Sequence, residues 1–320
     1  MKEPMFLKPV LQEKIWGGTK LEEFGYELPS DHVGECWAIS AHSNGPSTVK
    51  NGPFEGMTLD EVWNQHREVF GNSKGEVFPL LTKIIDADKD LSVQVHPDDT
   101  YAMKHERELG KTECWYIIDA DEGAEIVYGH HAKTREELQQ MIESGNWNHL
   151  LRREKVKKGD FYFVPSGTIH AIGAGIMVLE TQQSSDTTYR VYDYDRKGDD
   201  GQPRDLHIEQ SIDVTTVPFS EPKTESQLKE EKNLDITTLV ESDFFNVYKW
   251  ENHGVATLTT SAPYTLVSVI EGEGNLIIDS EREYQIKKGT HFILPYDVTS
   301  WSINGNLDII ASTPGKKLTE

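Results

Sequence analysis

An internal repeat constrains the fold of this chain more than any other feature. The segment KKGDFYFVPSGTIHA at 157–171 aligns without a gap on KKGTHFILPYDVTSW at 287–301, an offset of 130 residues. The Lys-Lys-Gly opening, an aromatic residue (Tyr162 and Phe292) and a proline closing an apolar run (Pro165 and Pro295) coincide. Upstream, ECWYIIDADEGAEIV (113–127) and LVSVIEGEGNLII (266–278) each read as a strand, a Gly-containing turn and a strand. Similarity of this kind implies two copies of one supersecondary unit. Short apolar runs punctuated by turn residues predict antiparallel sheets in a sandwich or barrel rather than a parallel α/β fold.

Expected strands include PLLTKIIDA (79–87), ECWYIIDA (113–120), AEIVYG (124–129), DFYFVPSG (160–167), IHAIG (169–173) and IMVLETQQ (176–183). Helices are expected at TLDEVWNQHREVF (58–70), where Thr58 and Glu61 make a capping box, at DDTYAMKHERELG (98–110) and at KTREELQQMIESG (133–145). The charged, aromatic-poor stretch VPFSEPKTESQLKEEKNLD (217–235) reads as an exposed linker or crossing segment. The expected division is therefore 1–216, a linker at 217–240, and a second unit at 241–320. No GxGxxG or P-loop pattern follows a strand, so the sequence offers no nucleotide site.

Fifty-four acidic residues against 32 basic give a net charge of −22. Such a surface repels nucleic acid and anionic lipid. An anionic substrate would then need a local cluster of Lys and Arg that inverts the field. Hydrophobic residues make up 36% without a long apolar run, so no membrane span is expected. The opening MKEPMFLKPVLQEKIWGG lacks the apolar centre and cleavage site of a secretory signal, and a cytoplasmic location is expected. Cys36 and Cys114 are too few for a disulfide scaffold and read as small buried residues.

In LSVQVHPDD (91–99), strand alternation puts Ser92, Gln94 and His96 on one face and Val93 and Val95 on the other. Polar-out alternation alone is what any half-exposed strand shows. The repeat supplies a control for the histidines. Where the first copy has His170 the second has Ser300, and its hairpin has no Glu at the place of Glu113. A histidine that merely filled space would have a comparable partner in the copy. The first copy is therefore read as the working unit and the second as its structural partner.

A Gly-bounded hairpin followed by G-D-x-x-x-x-P-x-G-x-x-H resembles the metal-binding jelly roll of the cupins. The fold class this implies is mainly β, two cupin-type jelly-roll units with a few peripheral helices. In such a unit Gln94, His96, Glu113 and His170 converge as metal ligands. Two imidazoles, a carboxylate and an amide oxygen suit a borderline divalent ion, with zinc, manganese and iron all compatible and Zn2+ favoured.

SVQVHPDD, KTECW, PSGTIHA and ETQQSSDTTYR, in this order between Trp16 and Arg190, resemble the type I mannose-6-phosphate isomerases. That family carries a Q-x-H-P strand, a K-P-E segment, a P-x-G-x-x-H-A segment and a terminal Glu-to-Arg segment. The resemblance implies zinc bound by Gln94, His96, Glu113 and His170. It also implies Lys111, Glu180 and Arg190 as catalytic residues, and Ser92 and Lys83 at the substrate pocket. The implied reaction interconverts mannose 6-phosphate and fructose 6-phosphate through an enediol(ate), with a phosphorylated hexose as the partner. Only 57 positions separate Glu113 from His170, so the helical insertion of larger members is absent, as in a short bacterial form. The wording ETQQSSDTTYRVYDYDR also departs from the family's usual apolar run before Ser-Asp-Asn. Trp16, Trp37 and His42 match family positions, with core packing as their expected role. The rival readings are an iron cupin dioxygenase, which has no need of Lys111 or Arg190, and a sugar-binding cupin without turnover.

Overall fold

The computed structural model describes residues 2–198 and 200–319. The first jelly roll is built from two antiparallel sheets. One has six strands in the order Phe161–Val164, Glu113–Ala120, Ile176–Gln183, Leu80–Ala87, Val33–Ile39 and Val10–Gly18. The other has five, in the order Tyr189–Tyr192, Val93–Val95, His170–Ile172, Glu125–His130 and Leu151–Lys155. From the six-stranded sheet, Ile85, Trp115, Ile117 and Val178 pack against Ile126, Tyr128 and Ile172 of the five-stranded one. The alternate residues Ile84, Cys114, Tyr116 and Leu179 join a second core with Phe245, Leu266, Ile293 and Ile310 from the C-terminal sheet. The six-stranded sheet is thus covered on both faces, which is why Leu80–Ala87 and Ile176–Gln183 are buried at every position. The helices Arg135–Glu143 and Ile208–Val214 cap the outer face of the five-stranded sheet.

This layering decides where the chemistry sits. A two-residue period turns Glu113 with Trp115, Glu180 with Val178 and Lys83 with Ile85 toward the space between the sheets. Glu180 lies opposite both Lys83 and Trp115 in register. Across from them, Gln94 is flanked in register by His170 and Arg190.

The C-terminal strands form a nine-stranded sheet that also takes in Met5–Lys8 and Thr48–Val49 from the start of the chain. The repeat is structural as well as sequential: Phe161–Val164 and His291–Leu294 are both strands, 130 residues apart. Val164 lies opposite Glu113, and Leu294 lies opposite Thr265.

Two expectations are revised. The turn expected near 271–274 is instead a bulge within one continuous strand, Thr265–Ile278, with Gly272 at φ 83°. A Cβ at Gly272, just after the bulge, would come within 2.0 Å of the Asn306 carbonyl oxygen, so that position needs glycine. The stretch 217–235 is not wholly linker, since Gln227–Glu231 and Leu234–Glu241 pair at the edge of the nine-stranded sheet. The outer strand is exposed along its whole length, and its charges discourage further strands from adding on. The capping box of Leu59–Gln65 forms as expected. Among the described residues no helix is long and apolar enough to cross a membrane.

Candidate active site

His96, Glu113 and His170 come together between the sheets, each about 1% exposed, with their ligand atoms within 4.8 Å of one another. His96 Nε2 is 3.4 Å and His170 Nε2 3.3 Å from the two oxygens of Glu113. A backbone carbonyl can only accept, so two short contacts fix the tautomers. His96 Nδ1–H donates to Thr187 O at 2.9 Å and His170 Nδ1–H donates to Thr168 O at 2.8 Å. Each Nε2 lone pair is thereby left facing Glu113, the arrangement in which an imidazole ligates a metal. His96 Nε2 and both Glu113 oxygens have no hydrogen-bond partner among the described residues. Buried polar atoms left unpaired in this way are costly, and a cation at their centre would satisfy all three. The group can hold a metal ion. Gln94 reaches the same place, its amide nitrogen 3.4 Å from His170 Nε2, and Ser92 Oγ donates to Gln94 Oε1 at 3.3 Å.

Beside this group opens a cavity of about 300 Å³. Ser92, Gln94, Lys111, Glu180, Arg190 and Lys83 all line it, together with Trp16. Its cations are Lys14, Lys83, Lys111, Arg190 and Arg204, against the carboxylates Glu35, Glu180 and Asp186. The local excess of positive charge required of an acidic chain with an anionic substrate is present.

Burial sets the protonation states, and neighbouring charges modify them. It pushes His96 down to about 3, with the Lys111 charge adding to the effect, and it lowers His170 too. Burial alone would raise Glu113, but Lys111, whose Nζ is 3.3 Å away, holds it well below the usual carboxylate range. Lys111 is raised in turn, since Glu113, Glu180 and Glu35 outweigh its own burial. Glu180 goes the other way. Burial, then the Glu113 charge, push its carboxyl up to about 7, although Trp115 Nε1–H donates to it at 3.0 Å and Lys83 lies 3.8 Å away. Arg190 donates to the Asp205 carbonyl at 2.9 Å, while its buried Nε has no hydrogen-bond partner among the described residues.

The stretch from residue 5 to 128 matches the catalytic-domain model of type I phosphomannose isomerase, and 235–314 matches the mannose-6-phosphate isomerase cupin domain. The chain is 59% identical over 313 residues to a mannose-6-phosphate isomerase of Streptococcus mutans, with 98% of each chain covered. It belongs to the type I phosphomannose isomerase family. The mannose-6-phosphate isomerase ManA of Bacillus subtilis is 56% identical over 311 residues, covering 97% of this chain and 98% of that one. A crystal structure of a Bacillus subtilis mannose 6-phosphate isomerase overlays with a TM-score of 0.95 at 53% identity, covering 97% of this chain and 99% of that one.

Several residues of this cavity escaped the sequence reading. Glu35 accepts from Trp37 Nε1–H at 2.6 Å and lies 3.5 Å from Lys83 Nζ. Trp37, expected only to pack, thus orients a buried carboxylate and lies 4.8 Å beneath the Lys83 ammonium. The available signal was the alternation in GECWAIS, which puts a charge on the buried face of a strand. Arg204 gave none: it reaches the cavity from a loop, where Asp193 accepts from its Nε at 2.8 Å and Nη2 at 2.7 Å. Cys36 and Cys114 are buried, as expected, and burial pushes both thiols up, Cys36 to about 12.

Burial pushes Glu35 up, but Lys83, Lys14 and the Trp37 N–H outweigh it and bring the carboxyl from 4.5 to about 2. A depressed carboxylate stabilises the fold above its unfolded pKa, and that contribution is lost as pH falls through the folded one. Glu35→Gln is therefore expected to cost about 3 kcal/mol near neutral pH. The gap from wild type should close between pH 4.5 and about 2, read by denaturant unfolding at stepped pH. A gap that ignores pH would show that the charge of Glu35 is not what stabilises.

Proposed function

We propose that this chain interconverts mannose 6-phosphate and fructose 6-phosphate, and that it does so with one divalent metal ion, Zn2+ in first place. The observation that carries the reading is the set of unpaired, buried donor atoms on His96 and Glu113 beside a cation-lined cavity. The names of the relatives above support the substrate. Gln94, His96, Glu113 and His170 would hold the ion, Gln94 through its amide oxygen, and two imidazoles with hard oxygen ligands suit zinc. When bound, the ion supplies Lewis acidity toward the sugar oxygens.

The remaining chemistry falls to the side chains. Isomerisation moves a proton between adjacent carbons while a carbonyl oxygen gains negative charge, through an enediol(ate). Glu180, its carboxyl raised to about 7, can hold or release a proton near neutral pH. Lys111 and Arg190 are cationic donors for the developing charge. Lys83 steadies Glu180, and Ser92 orients Gln94. We assign this chemistry to the first jelly roll, within residues 1–216, and a supporting role to 241–320, with the intervening 217–240 supplying edge strands to the second sheet. Two buried, unpaired cysteines fit a reducing cytoplasm.

The test is turnover of mannose 6-phosphate by the metal-loaded chain, coupled to a reporter for fructose 6-phosphate, before and after chelation. No turnover by the loaded protein overturns the activity. Turnover untouched by complete chelation overturns the metal dependence alone.

Glu108 gives a subtler prediction. Its Oε2 accepts from Ser185 Oγ at 3.1 Å, Asp186 N at 3.2 Å and Thr187 Oγ1 at 2.9 Å, clamping the loop whose Thr187 carbonyl orients His96. His42 Nε2 meets the other oxygen at 3.2 Å. Glu108→Ala, which removes every acceptor of the clamp, is expected to weaken divalent-metal affinity severalfold, less than loss of a direct partner of a ligand, because Glu108 acts one step further out. Competition with a chromophoric chelator measures this, and an unchanged affinity would show that the loop needs no clamp.

A further inference from the structure

The second jelly roll also borders a cavity, and one of its walls carries the residue in the register of Glu113, while Ser300 is exposed and lies outside the lining. Thr265 holds the register of Glu113, since each lies opposite the last residue of the strand that the repeat equates, Leu294 and Val164. By the same offset Ser300 replaces His170, and the next residue is Trp301. Thr265 and Trp301, with Tyr248, Trp250, Thr313 and Tyr296, line an open cavity of about 850 Å³.

Its chemistry differs from that of the first roll. The charged residues that line it, Lys74, Lys229 and Glu231, are all exposed, and Lys229 pairs with Glu231 at 2.7 Å. Its wall otherwise offers hydroxyls, aromatic rings, the Asn246 amide and aliphatic side chains, and among the described residues no imidazole, further carboxylate or buried cation lines it. Thr265 Oγ1 and the Trp301 indole N–H are buried, on residues only 1% and 3% exposed, and neither has a partner among the described residues. Buried polar atoms of this kind call for a hydrogen-bonding ligand. At the rim Tyr296 is 52% exposed and presents its ring. Aromatic rings with scattered hydroxyls and no buried charge suit a ligand with apolar C–H faces and many hydroxyls.

We propose that this cavity binds an uncharged sugar, independently of the cavity in the first roll. The two cavities share no lining residue, so binding here does not depend on the isomerase activity.

Saturation-transfer NMR on the metal-loaded full chain tests it, with methyl α-D-mannoside and methyl α-D-glucoside as probes. Neither has a phosphate or a free anomeric carbon, and saturating mannose 6-phosphate keeps the first cavity occupied. Transfer to at least one probe is expected to persist under those conditions. Thr265→Val and Trp301→Phe should each weaken that binding about tenfold, the effect of one lost buried hydrogen bond. Tyr296→Ala, a surface change that leaves the core intact, should weaken it severalfold. Turnover in all three should stay within about twofold of wild type, since distant sites act independently. Absence of transfer to both probes, displacement by mannose 6-phosphate, or equal binding in the wild type and Tyr296→Ala would overturn the proposal.

Discussion

Replacing His170 by Ala is expected to strip the divalent ion from the protein and to cut turnover of mannose 6-phosphate by about a thousandfold or more. Removing a single preorganised donor from a developing oxyanion costs about 10²–10³ in rate, and loss of the ion removes at least that much. The geometry leaves no substitute ligand. His170 Nε2 lies 3.3 Å from Glu113 and 3.4 Å from Gln94, in a site where the ring is about 1% exposed. Its neighbours are the His96 ring at 4.8 Å and the Trp115 ring at 5.4 Å, and an indole cannot ligate. The fold should survive, because the imidazole is neutral and its loss leaves no unpaired charge. Elemental analysis of the dialysed variant, with turnover measured in excess metal, checks both halves. A variant that keeps its full metal content would mean that the ligand set is wrong.

How far this site could be read from the chain depends on which regularity each part obeys. Gln94 and Glu113 lie on strands and His96 directly follows one, so a period of two fixes the face, and the repeat sharpened His170 by showing Ser300 in its place. Lys111, Glu180, Arg190, Ser92 and Lys83 came from the family resemblance, and all five line one cavity. Glu35 was missed because a charged residue in a strand is normally turned to solvent, and only the buried Lys83 opposite explains why it is not. Arg204 sits in a loop, where no period operates. The second roll misled in a different way: the glycines of 266–278 read as a turn, yet Gly272 has positive φ inside a continuous strand of 14 residues. A glycine alone does not say whether the chain reverses or only bulges. Likewise the charges of 227–231 looked like linker, because an edge strand must be polar for reasons that only its neighbours reveal.

Lys111→Met should separate electrostatic support from metal binding. Lys111 is 4% exposed, and with Lys83 it balances the buried carboxylates of Glu113, Glu180 and Glu35. Methionine fills similar space without charge, leaving Glu113 without its nearest cation. Removing one partner of a buried pair costs about 3–5 kcal/mol. The loss should depend on pH in a defined direction. Without Lys111, Glu113 loses the cation that holds its pKa down, and Glu180, already above its unfolded value, rises further, so at Glu180 the folded state binds its proton more tightly than the unfolded one. A raised carboxylate leaves stability intact below its unfolded pKa and erodes it as pH climbs through the folded value. For Glu180 that window already runs from 4.5 to about 7 in the wild type, and the substitution extends it upward. Denaturant unfolding of the metal-free proteins should therefore show a gap from wild type that is wide at pH 8 and narrower at pH 5. A gap of constant size would assign Lys111 to packing alone. In the metal-loaded variant the ion offsets part of the Glu113 charge, so stability recovers while turnover stays low by about 10²–10³, the loss of a donor to the developing oxyanion. His170→Ala loses the ion and the rate together, whereas Lys111→Met keeps the ion and loses the rate, and that contrast assigns the two residues to different parts of the chemistry.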